Sequence, residues 1–354
     1  MLNSFHPYET LLEGEEKMIN KISFTVFIPC YGECKYLSQT IDSLLDQDYE
    51  LEIVLCPQGN TDVSHILDKY PMIKVIGLEK PSLYKARIFL FDKSKSDYIY
   101  YVDDDDIIPK GLFQYVSDII AKTGKLDLYR IPLQIFYDDK WDESLRNQTY
   151  NNKFFLETKD QFLKKCFNGA YHNGVVHLFI KNVLKPKWFE VDVFQTEDRL
   201  ITFSIANATN TDICIIEDAF YLYRKYPDSH SRTLNFLKGR DDFITVNNCL
   251  KEYMNTNDLI LNASAIVLRI ISHLKYISSS KQFNKENFNK IYSNDDVWEY
   301  LDLFLNNKKS FKQINGSFVL LLTKLIKKKR YSTIKLLIKL KCKQEIRKYG
   351  KIQF

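Results

Sequence analysis

Glycine, proline and cysteine are all sparse in this chain, at 11, 9 and 7 of 354 residues. Collagen-like, proline-rich and disulfide-framework architectures are excluded on those counts. The cysteines (Cys30, Cys34, Cys56, Cys166, Cys214, Cys249 and Cys342) are odd in number and scattered, with neither CxxC spacing nor histidines at zinc-like intervals. That usage favours a reducing cytoplasm. Long apolar runs are also missing: the longest near the C-terminus, Phe318 to Leu322, is far below the roughly 20 residues that span a bilayer. The first twenty residues carry Glu9, Glu13, Glu15 and Glu16 where an export signal needs a basic start and an apolar stretch, so export is not expected. What is present is ample material for a core. Hydrophobic residues make up 45% and aromatics 14%, which excludes global disorder, and the length suits two domains or one large domain with an appendage.

A net charge of +5 conceals a division. Residues 308–354 hold 15 of the 50 basic residues and one of the 45 acidic ones, Glu345, leaving 35 basic against 44 acidic residues in 1–307. The basic segment has apolar Leu321, Leu322, Leu325 and Ile326, then Ile334, Leu337, Ile338 and Leu340, at helical spacing among lysines. It reads as a basic amphipathic helical hairpin, suited either to an anionic lipid surface or to packing on its own domain with lysines outward. It has almost no aromatic interleaving, so nucleic acid is not an expected partner.

Residues 22–28 and 51–55 read as buried strands that stop at loops. Tyr36, Leu37, Ile41, Leu44 and Leu45 between them recur at helical spacing. Further helices are expected over 63–69 and 82–91, with strands at 73–78 and 98–102. This alternation predicts an α/β fold, an open and mainly parallel sheet with helices on both faces, whose ligand sits beyond the C-terminal strand ends. The loops at 29–34, 56–62 and 103–109 are then the ones that meet a ligand. After Lys110 the pattern is less regular, with strand-like stretches at 127–137, 175–180 and 214–216 and a helix near 158–167. From about 240 it is helical. The organisation predicted is an acidic extension (1–20), a catalytic domain (21–238) and a helical region (239–354) ending in the basic tail (308–354).

The strongest local signal is Asp103-Asp104-Asp105-Asp106, four carboxylates leaving the apolar Tyr100-Tyr101-Val102. Adjacent anions at a buried strand end call for a countercharge, most simply a divalent cation. Asp103 and Asp105 share a side if the strand continues, and Asp106 comes round as the chain turns before Pro109. The alternative is an acidic turn that serves solubility or caps a helix.

The segment resembles the DxD motif of glycosyltransferases. Phe27-Ile28-Pro29-Cys30-Tyr31-Gly32-Glu33, Thr40 to Gln47, Glu52 to Leu55 followed by Gly59 to Asp62, and Lys85-Ala86-Arg87 stand in the order found in glycosyltransferase family 2. The resemblance covers about residues 22–232. It implies a GT-A fold, a nucleotide-diphosphate sugar donor, a Mn²⁺ or Mg²⁺ ion and inversion at the anomeric carbon. Carried over, Asp103 meets the donor's ribose or metal-bound water and Asp105 ligates the metal, with His230 as a third-ligand candidate. Pro29, Tyr31, Gln58, Lys85, Arg87 and Asp104 join Asp103 around the nucleotide, and Arg224 is a candidate at the diphosphate. Asp198 of Thr196-Glu197-Asp198-Arg199 becomes the general base, with Glu197 beside the acceptor; the plainer reading is a helix cap built on Thr196. Where the family has Asp-Asp-Gly-Ser, this sequence has Pro57-Gln58-Gly59-Asn60, so Gln58 meets the base without a carboxylate. His172 and Trp188, with Tyr171, Asn173 and Phe189 nearby, are of the type that binds sugar faces and hydroxyls. The acceptor expected from the family is a bacterial surface polysaccharide, of capsule or lipopolysaccharide kind, or a lipid-linked saccharide at the inner membrane face. Two other readings stay open: a non-catalytic scaffold that binds a nucleotide-sugar or a partner, and an Asp-x-Asp phosphotransferase with Asp103 as nucleophile.

Overall fold

The computed structural model describes residues 21–167, 174–193, 196–226, 236–279, 284–291, 295–307 and 317–349. Strand β1 (Phe24–Cys30) is buried along its whole length, as a central parallel strand must be when both faces are covered. It pairs in parallel with β2 (Leu51–Pro57) on one side and β4 (Tyr98–Tyr101) on the other. The short β3 (Lys74–Val75) extends the sheet beyond β2. Helix α1 (Leu37–Leu45) buries Leu37, Ile41 and Leu44, spaced at four and three residues, against this sheet. Helices α2 (Ser64–Lys69) and α3 (Leu83–Phe91) complete the alternation, and Ser82 caps α3 by accepting from the Lys85 N–H at 3.2 Å.

Beyond β4 the sheet becomes mixed. β8 (Leu178–Lys181) runs antiparallel to both β4 and β5 (Leu128–Arg130); β9 (Ile213–Ile216) is parallel to β5, and β7 (Phe154–Glu157) closes the edge antiparallel to β9. The eight-stranded order is β3-β2-β1-β4-β8-β5-β9-β7. The first half thus has the parallel pairing expected of the sequence, and the antiparallel strands account for the less regular pattern after Lys110. Helix α4 (Leu112–Thr123) lies in that stretch and was not expected. Its apolar Leu112, Val116, Ile119 and Ile120 are buried, and it runs between Gly111 and Gly124, both at positive φ.

A two-stranded sheet of β6 (Leu133–Tyr137) and β10 (Tyr221–Lys225) packs Phe136 and Leu222 against Ile107, just beyond the four aspartates. Helix α5 (Lys159–Phe167) falls where the sequence predicted one, and α6 (Glu197–Ala208) carries the second acidic motif.

Among the described residues six further helices follow: α7 (Phe236–Lys251), α8 (Thr256–Ser279), α9 (Lys285–Ile291), α10 (Asp295–Asn306), α11 (Ser317–Lys327) and α12 (Tyr331–Tyr349). Apolar side chains form one large cluster from Ile22 to Met254 and a second from Ile244 to Cys342, so α7 contributes to both. Leu322, Ile326, Ile334 and Ile338 of the α11–α12 hairpin are buried in the second cluster. Glu345, the acid of the basic tail, pairs with Lys275 of α8 at 2.8 Å. One face of the hairpin therefore packs on its own domain.

Candidate active site

Parallel pairing of β1, β2 and β4 brings the loops that follow them to one end of the sheet. Fully buried tyrosines on β4 anchor the start of the four-aspartate turn, and each carboxylate then has a different fate. Asp106 turns inward: it is fully buried and accepts from the Tyr221 hydroxyl at 2.6 Å and the Arg224 N–H at 2.7 Å. It is a structural anchor and does not join Asp103 and Asp105 facing a ligand.

Arg224 is also structural, contrary to its expected place at a diphosphate. Its Nε donates to the Asp105 carbonyl (2.6 Å), Nη1 to Asp138 (2.6 Å) and Nη2 to Gln39 (2.7 Å), while the guanidinium lies 4.1 Å from the Tyr36 ring centroid. Thr40 Oγ1 donates to the carbonyls of Asp104 and Asp106. The backbone of the turn is thus held from below by β10 and from the side by α1.

Asp104 and Asp105 remain. Asp104 accepts from the Tyr31 N–H and shares a hydrogen bond with Cys34; burial first, then these thiol and aspartate neighbours, pushes its carboxyl well above the usual range. Burial, reinforced by Asp104 and Asp103, raises Asp105 to about 7 even though the Tyr226 hydroxyl donates to it. A recessed carboxyl like that of Asp105, raised for want of a countercharge, is a donor that a hard cation suits, and a bound cation reverses that tendency.

The geometry centres on Arg87 of α3. Its side chain is 1% exposed, with Nη2 donating to Asp103 at 2.7 Å and Nη1 to Glu197 at 3.3 Å and to Asp198. Two motifs about ninety positions apart in sequence therefore meet across one guanidinium. Three carboxyls around one cation cannot all be ionised cheaply. Glu197, buried on α6 and beside Asp198, is pushed up to about 8, so it holds its proton near neutrality. Asp198 remains one-third exposed. Gly174 lies against it at a φ of +94°, and a Cβ there would sit 2.6 Å from Asp198 Oδ2. Nothing in the sequence pattern singled out Gly174. Thr196 occupies the cap position of α6 in the left-handed region without a side-chain cap bond, so a cap built on its hydroxyl is not observed.

The remaining expected residues divide. Pro29 ends buried in β1, while Tyr31 is 52% exposed at the same loop. Gln58 is buried, and its Oε1 accepts from the Ser82 N–H at 2.9 Å; it ties the β2 loop to α3, so its carbonyl is not offered to a nucleotide base. Lys85 is exposed and lies two residues from Arg87, on the opposite side of α3, away from the carboxyls. Trp188 packs edge-on against Phe91 at 5.5 Å, and the Phe189 backbone exchanges hydrogen bonds with the Tyr84 hydroxyl. Both aromatics support the core instead of presenting a sugar platform. His172, Tyr171, Asn173 and His230 lie outside the described residues.

Residues 25–184 match the family model for glycosyl transferase family 2. Over 307 residues the chain is 23% identical to the glycosyltransferase GlyG of Streptococcus pneumoniae, covering 82% of this chain and 98% of GlyG. It is 32% identical over 220 residues to the poly(ribitol-phosphate) β-N-acetylglucosaminyltransferase TarS of Staphylococcus aureus, a match spanning 59% of this chain but 37% of TarS. The crystal structure of S. aureus TarS 1–349 in complex with UDP-GlcNAc superposes with a TM-score of 0.63 at 16% identity, covering 93% of each chain. Residues 25–184 carry a domain that matches glycosyl transferase family 2, and the chain has the GT-A fold followed by a helical region.

Proposed function

We propose that this chain moves a sugar, with inversion and with the help of a divalent metal, from a nucleotide-diphosphate sugar to a hydroxyl of a glycan or lipid-linked saccharide. The observation that carries this reading is the Arg87 bridge, which puts Asp198 one guanidinium away from the Asp103 end of the aspartate turn. The nucleotide-sugar bound in the TarS complex supports the donor class.

Asp105 would hold Mn²⁺ or Mg²⁺, and such an ion supplies positive charge to the departing diphosphate. Asp103, fixed by Arg87, and the exposed Tyr31 on the loop after β1 would border the nucleotide. The acceptor hydroxyl attacks the anomeric carbon, the bond from that carbon to the diphosphate oxygen breaks with its electron pair leaving on the diphosphate, and the hydroxyl proton passes to Asp198. Glu197 is buried and its carboxyl is raised by that burial, so the more exposed Asp198 is the better placed to meet an acceptor hydroxyl. Arg87 orients Asp198 and balances its charge. We place the catalytic domain at 21–238 and the helical region at 239–354.

A position at the inner face of a membrane is part of the proposal. Among the described residues no helix is long and apolar enough to cross a bilayer. The hairpin nevertheless exposes Leu321, Leu336, Leu340 and Ile346 alongside Lys324, Lys339 and Lys343, and an apolar and basic face of that kind suits anionic lipid.

The test is hydrolysis of a panel of nucleotide-sugars with and without Mn²⁺ or Mg²⁺, followed by transfer to simple saccharide acceptors. Metal-dependent release of a nucleoside diphosphate from one donor is expected. Binding of a donor without turnover under any metal, or release of inorganic phosphate from a phosphoester, would overturn the proposal.

A further inference from the structure

The loop after β1 turns back on itself through Gly32 and Cys34, both at positive φ, at 81° and 47°. For Cys34, a residue with a Cβ, that conformation is uncommon. Its effect is to return the Cys34 side chain to the strand end it left, where Cys30 is fully buried. The aspartate turn arrives at the same place from β4. One ligand atom each from Cys30, Cys34 and Asp104 then lies within 4.8 Å of the others. The two sulfurs come from a spacing of three intervening residues, within the range zinc ligands use, and the carboxylate comes from seventy positions further on, so the parallel neighbours β1 and β4 bring the three together.

We propose that Cys30, Cys34 and Asp104 form a binding site for a thiophilic divalent cation of the zinc class, separate from the hard-cation position at Asp105. Two thiolates and a carboxylate select borderline-soft ions over magnesium or manganese, which prefer all-oxygen sets. Sulfurs around a tetrahedral zinc, with bonds of about 2.3 Å, stand ~3.8 Å apart, so the side chains need to draw in by about 1 Å or less. Three protein ligands leave one coordination position for water or an anion. Asp103 and Asp105, which flank Asp104 in sequence, add negative charge that favours a cation here. Loading releases the thiol protons, so it strengthens as pH rises. The Tyr31 N–H, directed at Asp104, would support the ligand from outside the coordination shell.

The experiment uses the full chain, stripped of metal and kept reduced with a phosphine, and titrated with Co²⁺. The expected result is thiolate-to-cobalt charge-transfer absorption in the near ultraviolet that saturates at one ion per chain and is displaced by Zn²⁺. Cys34→Ser should abolish that absorption while leaving the metal-free melting temperature close to wild type, since Cys34 sits on a half-exposed loop. Asp104→Asn should retain the absorption at lower affinity. Absence of charge-transfer absorption in the wild-type chain, or its persistence in a folded Cys34→Ser variant, would overturn the site. The readout does not depend on sugar transfer, so it stands or falls independently of the proposed reaction.

Discussion

Arg87 has one positive charge to share among Asp103, Glu197 and Asp198, and most of the site's chemistry follows from that shortage. Removing it takes a buried guanidinium from three carboxyls, two of them about one-third exposed, so Arg87→Ala should lose about 1.5–3 kcal/mol of stability in denaturant titration. Asp198→Asn removes only the proton acceptor; transfer should fall about 10²–10⁴-fold while donor affinity stays within a small factor. Gly174→Ala should mimic it in milder form, because the new methyl meets the Asp198 carboxylate and the backbone already lies at +94°. Glu197 gives a pH signature. Burial pushes its carboxyl up to about 8, above its ordinary value of 4.5, so the folded chain holds a proton that the unfolded chain gives up. Its contribution is fully present below about 4.5 and is lost as pH rises toward about 8. Melting temperatures of Glu197→Gln should therefore decline less over that window than those of the wild type. The motifs that hold Asp198, Arg87 and Asp103 were legible in the sequence because each is local. The inward turn of Asp106, the structural use of Arg224 and the contact at Gly174 were not, because each depends on a partner more than twenty positions away.

At the scale of elements, the site rests on α3, α6 and the small β6–β10 sheet. β10 holds the aspartate turn through Tyr221, which donates to Asp106 and accepts from the Asp103 N–H, and through the three-way grip of Arg224. Arg224→Lys keeps the charge but loses the fork, and cannot reach Asp138, Gln39 and the Asp105 carbonyl together. Stabilisation by a nucleoside diphosphate with Mn²⁺ should then drop sharply in thermal-shift measurements, although Arg224 touches no ligand. The buried first strands announced themselves as apolar runs ending at Pro29 and Cys56-Pro57. Helix α4 went unrecognised despite a regular apolar face, because the surrounding antiparallel strands break the alternation that made the first half readable. Arg199, next to the acidic pair, is buried, donates to the Phe167 carbonyl and Asn262, and so couples α6 to α5 and α8.

Across the whole molecule, the opposite charges of the two parts belong to two different surfaces. The basic tail is both a packed hairpin and an exposed face, two roles the sequence left as alternatives because the same apolar periodicity serves each. Deleting it would remove Ile326, Ile334 and Ile338 from the second core and expose the side chains they pack against, so charge reversal is the cleaner test. The triple change Lys324→Glu, Lys339→Glu and Lys343→Glu should abolish sedimentation with anionic vesicles, at about 1 kcal/mol lost for each lysine removed, while leaving the melting temperature nearly unchanged. Sedimentation that ignores both the substitutions and added salt would contradict a lipid role for this face.

The most direct test of the central claim is calorimetric titration of nucleoside diphosphates into the wild-type chain and Asp105→Ala, each with and without Mn²⁺. The account predicts binding of one nucleoside diphosphate that requires both the ion and Asp105. Equal binding in all four conditions, or none in the wild type with Mn²⁺ across the common bases, would contradict it.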